Sequence, residues 1–211
     1  MENFELPKTF DEFVDARKAG FMRAKEFKEN GGKLAGCLCS YTPSEIMEAA
    51  GVATVGLCGT SNEVIPDAEK VLPKNLCPLI KSTYGFAYTE KCPYTYFSDI
   101  IIGETTCDGK KMYELLNEIK ETHILHLPQS QDRPYAKGIW YEEVKLLKEK
   151  IEEKFGVEVT DENLRAAVKK RNRLRKAMCN MYQLQENCPP AIKGTEMMMA
   201  LQQGTSSFDV E

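Results

Sequence analysis

Long apolar runs are missing from this sequence. None approaches the roughly 20 residues that a bilayer span needs, so no membrane association is expected. An excess of one charge is missing too. The 28 Lys and Arg against 32 Asp and Glu leave a net charge of −4, which excludes the basic footprint of a nucleic-acid binder. The amino-terminal stretch "MENFELPKTFDEF" lacks an apolar core with a cleavage site, so it does not read as a signal peptide and a cytoplasmic protein is expected. Histidine is scarce, with only His123 and His126 in "THILHLP". Three positions apart on a strand they face opposite sides, which argues against joint metal binding and for packed or solvent-bonded rings. There is no CxxC pair and no Cys…His spacing of the zinc-finger type. "CLC" at 37–39 is too tight for a zinc knuckle, and no compact cysteine run of the ferredoxin kind occurs.

What is present is an alternation of short apolar runs with helical patterns. "TFDEFVDARKAGFMRAKEFKENGG" reads as an amphipathic helix closed by Gly31 and Gly32. "KLAGCLCS" reads as a buried strand. "YTPSEIMEAAG" follows, with Thr42 as cap, Pro43 at the first helical position and Glu45 completing a capping box. "VATVGLCGTS", "SDIIIGETTC" and "THILHLP" are further strands, and "DGKKMYELLNEIK" a helix between the last two. In "PKNLCPLIKSTYGF" a helix starts near Cys77-Pro78. The expected fold is α/β: an open, mostly parallel sheet flanked by helices, followed by a helical segment. The expected organisation is an N-terminal helical segment (1–32), an α/β domain (33–130) and a helical region (138–204). In the last, Thr160 caps the second of two long helices.

Eight cysteines, at 37, 39, 58, 77, 92, 107, 179 and 188, stand out in a chain expected in a reducing compartment. Metal or redox chemistry, buried thiols and a disulfide all remain open readings. Cys179, within a helical stretch among apolar neighbours, reads as packing. Cys39 and Cys107 each follow a strand and precede a helix, and Cys77 sits at a helix start. Ligand sites of open α/β sheets form beyond the carboxyl ends of the strands. Helix N-termini carry partial positive charge and unpaired N–H groups that favour a thiolate. The expectation is that the three sulfurs meet on one rim of the sheet and hold a metal centre.

The segments "GKLAGCLCSYTPSEIMEAAG", "NLCPLIKS", "CPYTYFSD" and "GETTCDGKK" resemble the 2-hydroxyacyl-CoA dehydratase subunit family, more closely its double-cubane-cluster branch. The resemblance implies an oxygen-sensitive iron–sulfur protein working as a homodimer or heterodimer. An ATP-hydrolysing [4Fe-4S] activator would feed it single low-potential electrons. It implies either dehydration of an (R)-2-hydroxyacyl-CoA through a ketyl radical anion, or reduction of a small molecule at an [8Fe-9S] double cubane. By the same resemblance Cys39, Cys77 and Cys107 match ligand positions of a [4Fe-4S] or [8Fe-9S] cluster, and Cys58 and Cys92 match other recurring family cysteines. Family subunits are about twice this long, and three cysteines are too few for a double cubane. A truncated, non-catalytic fragment that folds without a cluster and at most binds a partner is therefore the alternative expectation.

Glu104, Lys81, Ser82 and Tyr84 neighbour these cysteines and are expected either to serve the site with hydrogen bonds or protons, or to cap and pack locally. The methionines of "KGTEMMMALQ" read as core filler. The basic run 169–176, "KKRNRLRK", reads as a solvated face or a docking surface for the activator.

Overall fold

In the computed structural model, which describes residues 4–106 and 110–206, four short strands form one all-parallel sheet. They are β1 (Leu34–Cys37), β2 (Ala53–Gly56), β3 (Ile100–Glu104) and β4 (Thr122–Leu125), in the order β2-β1-β3-β4. Every residue of β3 is buried, as its unbroken Ile-Ile-Ile run requires of a strand covered on both faces. β1 is the hub: Cys37 stands opposite Gly56 of β2 on one side and Ile102 of β3 on the other. The chain leaves β1 for β2 in one direction and β3 for β4 in the other. A topological switch point, and hence a crevice, therefore opens between the ends of β1 and β3.

Helices cover both faces. Leu34, Val55 and Ile101 point to one side, where they pack with residues of α3 (Ile65–Ala68), α4 (Pro78–Tyr88) and α6 (Lys110–Ile119). Ala35, Ile100 and Ile102 point to the other, against α2 (Ser44–Ala49) and α7 (Ala136–Phe155). A third cluster joins Phe13, Phe21 and Ala24 to Phe97, and so seats α1 (Asp15–Glu29) on α5 (Pro93–Phe97). The buried Lys28 ammonium lies 2.6 Å from both carboxylate oxygens of Asp99, whose Oδ2 also accepts the Leu34 amide at 2.8 Å. This pins the end of α1 to the starts of β1 and β3.

Beyond β4, α7 ends at Gly156 in the left-handed region (φ 61°), and α8 (Asp161–Gln183) starts as expected with the Thr160 hydroxyl accepting the Asn163 amide. α9 (Gly194–Ser206) follows. No helix among the described residues is long and apolar enough to cross a membrane.

Several local expectations fail. α2 begins at Ser44 with Pro43 as its cap residue and no side-chain cap; the Thr42 hydroxyl is buried without a partner among the described residues. Glu45 turns away from the expected capping box because Arg175 of α8 takes its carboxylate. Within the basic run Lys170, Arg171 and Arg175 are drawn onto α2 and the sheet, while Lys169, Arg173 and Lys176 stay exposed. Lys170 and Arg171 reach Glu48 at 2.7 and 3.2 Å, and Arg171 donates to the Thr54 hydroxyl at 2.9 Å. Cys179 is exposed on α8 rather than packed, and of the three methionines only Met197 is buried, with Met198 and Met199 facing outward.

Candidate functional site

Parallel register sets the first part of the site. Cys37 faces Gly56 across the β1–β2 ladder, and the Leu57 amide continues it onto the Cys37 carbonyl. Cys39 and Cys58 thus both lie two residues past the last paired positions of neighbouring strands, and both are exposed. Cys107 follows β3, the other neighbour of β1, and lies outside the described residues. Cys77 is the exposed cap residue of α4.

α4 is bolted to the turn that carries Cys58. The Gly59 amide donates to the Thr83 hydroxyl at 2.9 Å, and the Ser82 hydroxyl donates to the Ser61 carbonyl at 2.6 Å. A Cβ on Gly59 would come within 2.6 Å of Ser82 Oγ and the Thr83 nitrogen, so only glycine permits this approach. Ser82 is five residues into the helix from Cys77, roughly 8 Å along its axis. Lys81 is committed elsewhere: it donates to Glu69 at 2.7 Å and to the Lys74 carbonyl at 2.8 Å, bracing the turn from α3 into α4. Tyr84 is buried in the core and stacks on Tyr88 with ring centroids 6.0 Å apart; burial pushes its hydroxyl pKa up. Cys92 caps α5 with its own sulfur, which accepts the Thr95 amide at 3.5 Å.

Glu104, only 1 % exposed, bridges the switch crevice. From the end of β3 its carboxylate accepts the Ser40 amide at 2.6 Å and the Tyr41 amide at 3.0 Å. Those bonds hold the β1 turn with Cys39 in the left-handed region (φ 66°), a conformation that a side chain adopts only where the surroundings enforce it. Burial raises the Glu104 pKa, and the two amides work against that shift. The neighbouring threonines complete the seam. Thr105 Oγ1 accepts the Leu127 amide at 2.9 Å, and Thr106 Oγ1 donates to Cys39 Sγ at 3.6 Å. The "GETT" stretch before Cys107 therefore ties the ends of β1, β3 and β4 together. Sequence reasoning misses the threonines, and the one signal that points to them is their position beside a seam cysteine.

The electrostatics depart from the expected thiolate-favouring seam. The Cys39 pKa is raised, first by burial of the thiol and then by the neighbouring Cys58 and Glu104; hydrogen bonds from Thr106 and Tyr113 pull it back. Burial prevails here because no helix start stands against the thiol: α2 begins only at Ser44. A site with several sulfurs and a carboxylate resists negative charge until a cation enters, and a bound metal ion inverts that balance and deprotonates a ligating thiol. Cys37, whose thiol points to the α2–α7 side, is pushed up to about 12 by burial, partly opposed by Arg171, and is inert by comparison. Among the described residues no group of three or more His, Cys, Asp and Glu side chains already converges on a metal position. The donors that are placed, accessible sulfurs with a hydroxyl and helix-start N–H groups beside them, match in chemistry what an iron–sulfur group takes. His123 and His126 stay apart, one half-buried on β4 and the other exposed beyond it.

Comparison with known proteins places this rim in context. The family model for the 2-hydroxyglutaryl-CoA dehydratase D-component matches residues 39–211. "Putative dehydratase subunit YjiM" of Escherichia coli (strain K12) is 47 % identical over 208 residues, 98 % of this chain and 54 % of that protein. The (R)-phenyllactyl-CoA dehydratase beta subunit of Clostridium sporogenes is 28 % identical over 191 residues, 89 % of this chain and 50 % of that protein. A benzoyl-CoA reductase subunit of Thauera aromatica is 24 % identical over 192 residues, 87 % of this chain and 49 % of that protein. The chain spans about half the length of these relatives. With most of its residues matched by the family model, it belongs to the 2-hydroxyglutaryl-CoA dehydratase D-component family.

Proposed function

We propose that this chain is an iron–sulfur subunit of a dehydratase or reductase of its family, acting in the cytoplasm under anaerobic conditions. Cys39, Cys77 and Cys107 are its ligands, and Cys58 is a further thiol of the same site. The observation that carries the reading is the placement of Cys39 and Cys58 side by side in register at the carboxyl ends of adjacent parallel strands, next to the β1–β3 switch point. Cys92 matches another recurring family cysteine, and its sulfur accepts the Thr95 amide at the start of α5.

When bound, a [4Fe-4S] or [8Fe-9S] group would supply single electrons of low potential to an (R)-2-hydroxyacyl-CoA or to a small, hard-to-reduce molecule. The chain's own residues do the positioning. Glu104 fixes the Cys39 turn, Ser82 and Thr83 hold the Cys58 turn on α4, and α4 presents Cys77 at its start. Electrons come from an ATP-hydrolysing [4Fe-4S] activator, and the protein works as a homodimer or heterodimer. Two of the relatives are themselves named as subunits of a CoA-thioester dehydratase and a CoA-thioester reductase, which supports a partner subunit and the substrate class.

Anaerobic purification followed by iron and sulfide analysis and a visible spectrum tests the reading. The expected result is a brown protein with several irons per chain, most of them lost in Cys39→Ala, and reduction of an acceptor only when both ATP and an activator are present. A colourless, cooperatively folded chain without sulfide sinks it and leaves the cluster-free fragment.

A further inference from the structure

At the amino-terminal edge of the sheet, away from the cysteine rim, lies a cavity of about 350 Å³. That is the small end of the range for ligand sites, about 300–1,000 Å³. Phe4, Phe86, Tyr96 and Phe97 supply aromatic walls. Phe4 is held in its place: its ring meets Phe97 edge-on with centroids 6.3 Å apart, and its carbonyl accepts the Lys25 ammonium.

Three charged side chains line the same cavity, and they stand in two places. Lys120, half-buried just past α6, donates to the Tyr96 carbonyl at 2.9 Å, its one hydrogen bond among the described residues. Asp99 is committed to Lys28. Burial lowers the Lys120 pKa, with Asp99 opposing and Lys28 and Lys154 adding to the shift. An ammonium has three N–H donors, so two remain for an acceptor in the cavity. Glu90 and Glu5 stand instead near the Tyr96 phenol, whose pKa burial raises first and these carboxylates raise further. The length of one tyrosine thus lies between the positive and the negative charge.

Glu90 is placed there against local preference. Its amide donates to the Ala87 carbonyl at 3.2 Å and the Lys91 amide to the Phe86 carbonyl at 3.1 Å, the paired closure that ends a helix on a left-handed residue. Glycine is the usual occupant of that position, yet Glu90 takes it with φ 55°. No ion pair among the described residues engages its carboxylate. The carbonyl end of α4 adds partial negative charge beside it.

A complementary ligand carries an anion at one end, a cation at the other and an apolar body between them. We propose that the cavity binds a small ω-amino acid, its carboxylate on Lys120, its ammonium at Glu90 and its methylene chain between the aromatic walls. The site shares no residue with the cysteine rim, so its test is independent of the iron–sulfur reading.

Calorimetric titration of the full chain with 6-aminohexanoate is the test. Hexanoate lacks the ammonium, hexylamine lacks the carboxylate, and L-leucine is an isomer with its charges adjacent. Each is expected to bind more weakly than 6-aminohexanoate, by roughly tenfold, the worth of one charged hydrogen bond. Lys120→Met weakens 6-aminohexanoate and hexanoate by about the same factor. Glu90→Gly keeps the fold, since glycine suits the left-handed position, and its urea midpoint checks this. It weakens 6-aminohexanoate and hexylamine but leaves hexanoate unchanged, and this arm decides the matter even where Lys120→Met does not fold. Failure of 6-aminohexanoate to bind at millimolar concentration overturns the site. Hexanoate binding as tightly as 6-aminohexanoate, or 6-aminohexanoate binding unmoved by Glu90→Gly, overturns the role of Glu90. Tighter binding of L-leucine than of its isomer overturns the end-to-end placement.

Discussion

His123 illustrates how a single side chain carries a cost that no motif announces. It lies half-buried on β4, its Nε2 buried without a hydrogen-bond partner among the described residues. Its pKa falls below 6.5, chiefly because burial disfavours the imidazolium; Glu143 opposes that shift, and Lys150 and His126 add to it. The folded value lies below the unfolded one, so between the two only the unfolded chain binds the proton. Stability is therefore fully present above pH 6.5 and is lost as pH falls through the folded value. Urea unfolding measured across this range should show the decline beginning just below pH 6.5, and His123→Gln should flatten it. An unchanged slope in that variant would assign the decline to another group. The same kind of residue-level accounting explains Cys39: burial of its thiol first, and then Cys58 and Glu104 from the two neighbouring strand ends, raise a pKa that a strand–helix seam by itself would lower.

Among the elements, α2 and α8 show how tertiary contacts override local signals. The segment "TPSE" has the composition of a capping box, yet Glu45 pairs with Arg175 and Glu48 with Lys170 and Arg171. A carboxylate on a short helix gains more from a guanidinium fixed by a long neighbouring helix than from one more backbone amide. Removing Glu48 would leave the largely buried Arg171 with the Thr54 hydroxyl as its hydrogen-bond partner on the sheet. Glu48→Ala should cost about 1–3 kcal/mol by urea unfolding, below the figure for a fully buried pair because these groups keep partial contact with water. Glu142→Ala, which breaks the exposed Lys145 pair, should leave the urea midpoint close to that of the wild type. Equal losses in the two variants would show that the α2–α8 clamp contributes nothing beyond a surface contact.

For the whole molecule, the two main core clusters draw on opposite faces of the same sheet. Neither face can melt while the other stays packed, so circular dichroism and core-tyrosine fluorescence should report one coincident urea transition. Two separated transitions would show that the α7–α8 layer is an independent unit. The sequence by itself determined the alternation of strands and helices, the buried character of the Ile-Ile-Ile strand, the helix starts at Cys77-Pro78 and Thr160, and the cysteines at strand–helix seams. Apolar period, proline and capping chemistry are local, and each can be read within a few neighbouring residues. Only the tertiary structure decided the order β2-β1-β3-β4, the register that sets Cys58 beside Cys39, the Glu104 bridge and the Thr106 contact. Each of these joins positions from about 20 to nearly 70 residues apart, and nothing in a linear pattern ranks one long-range pairing above another until the strands have chosen their neighbours.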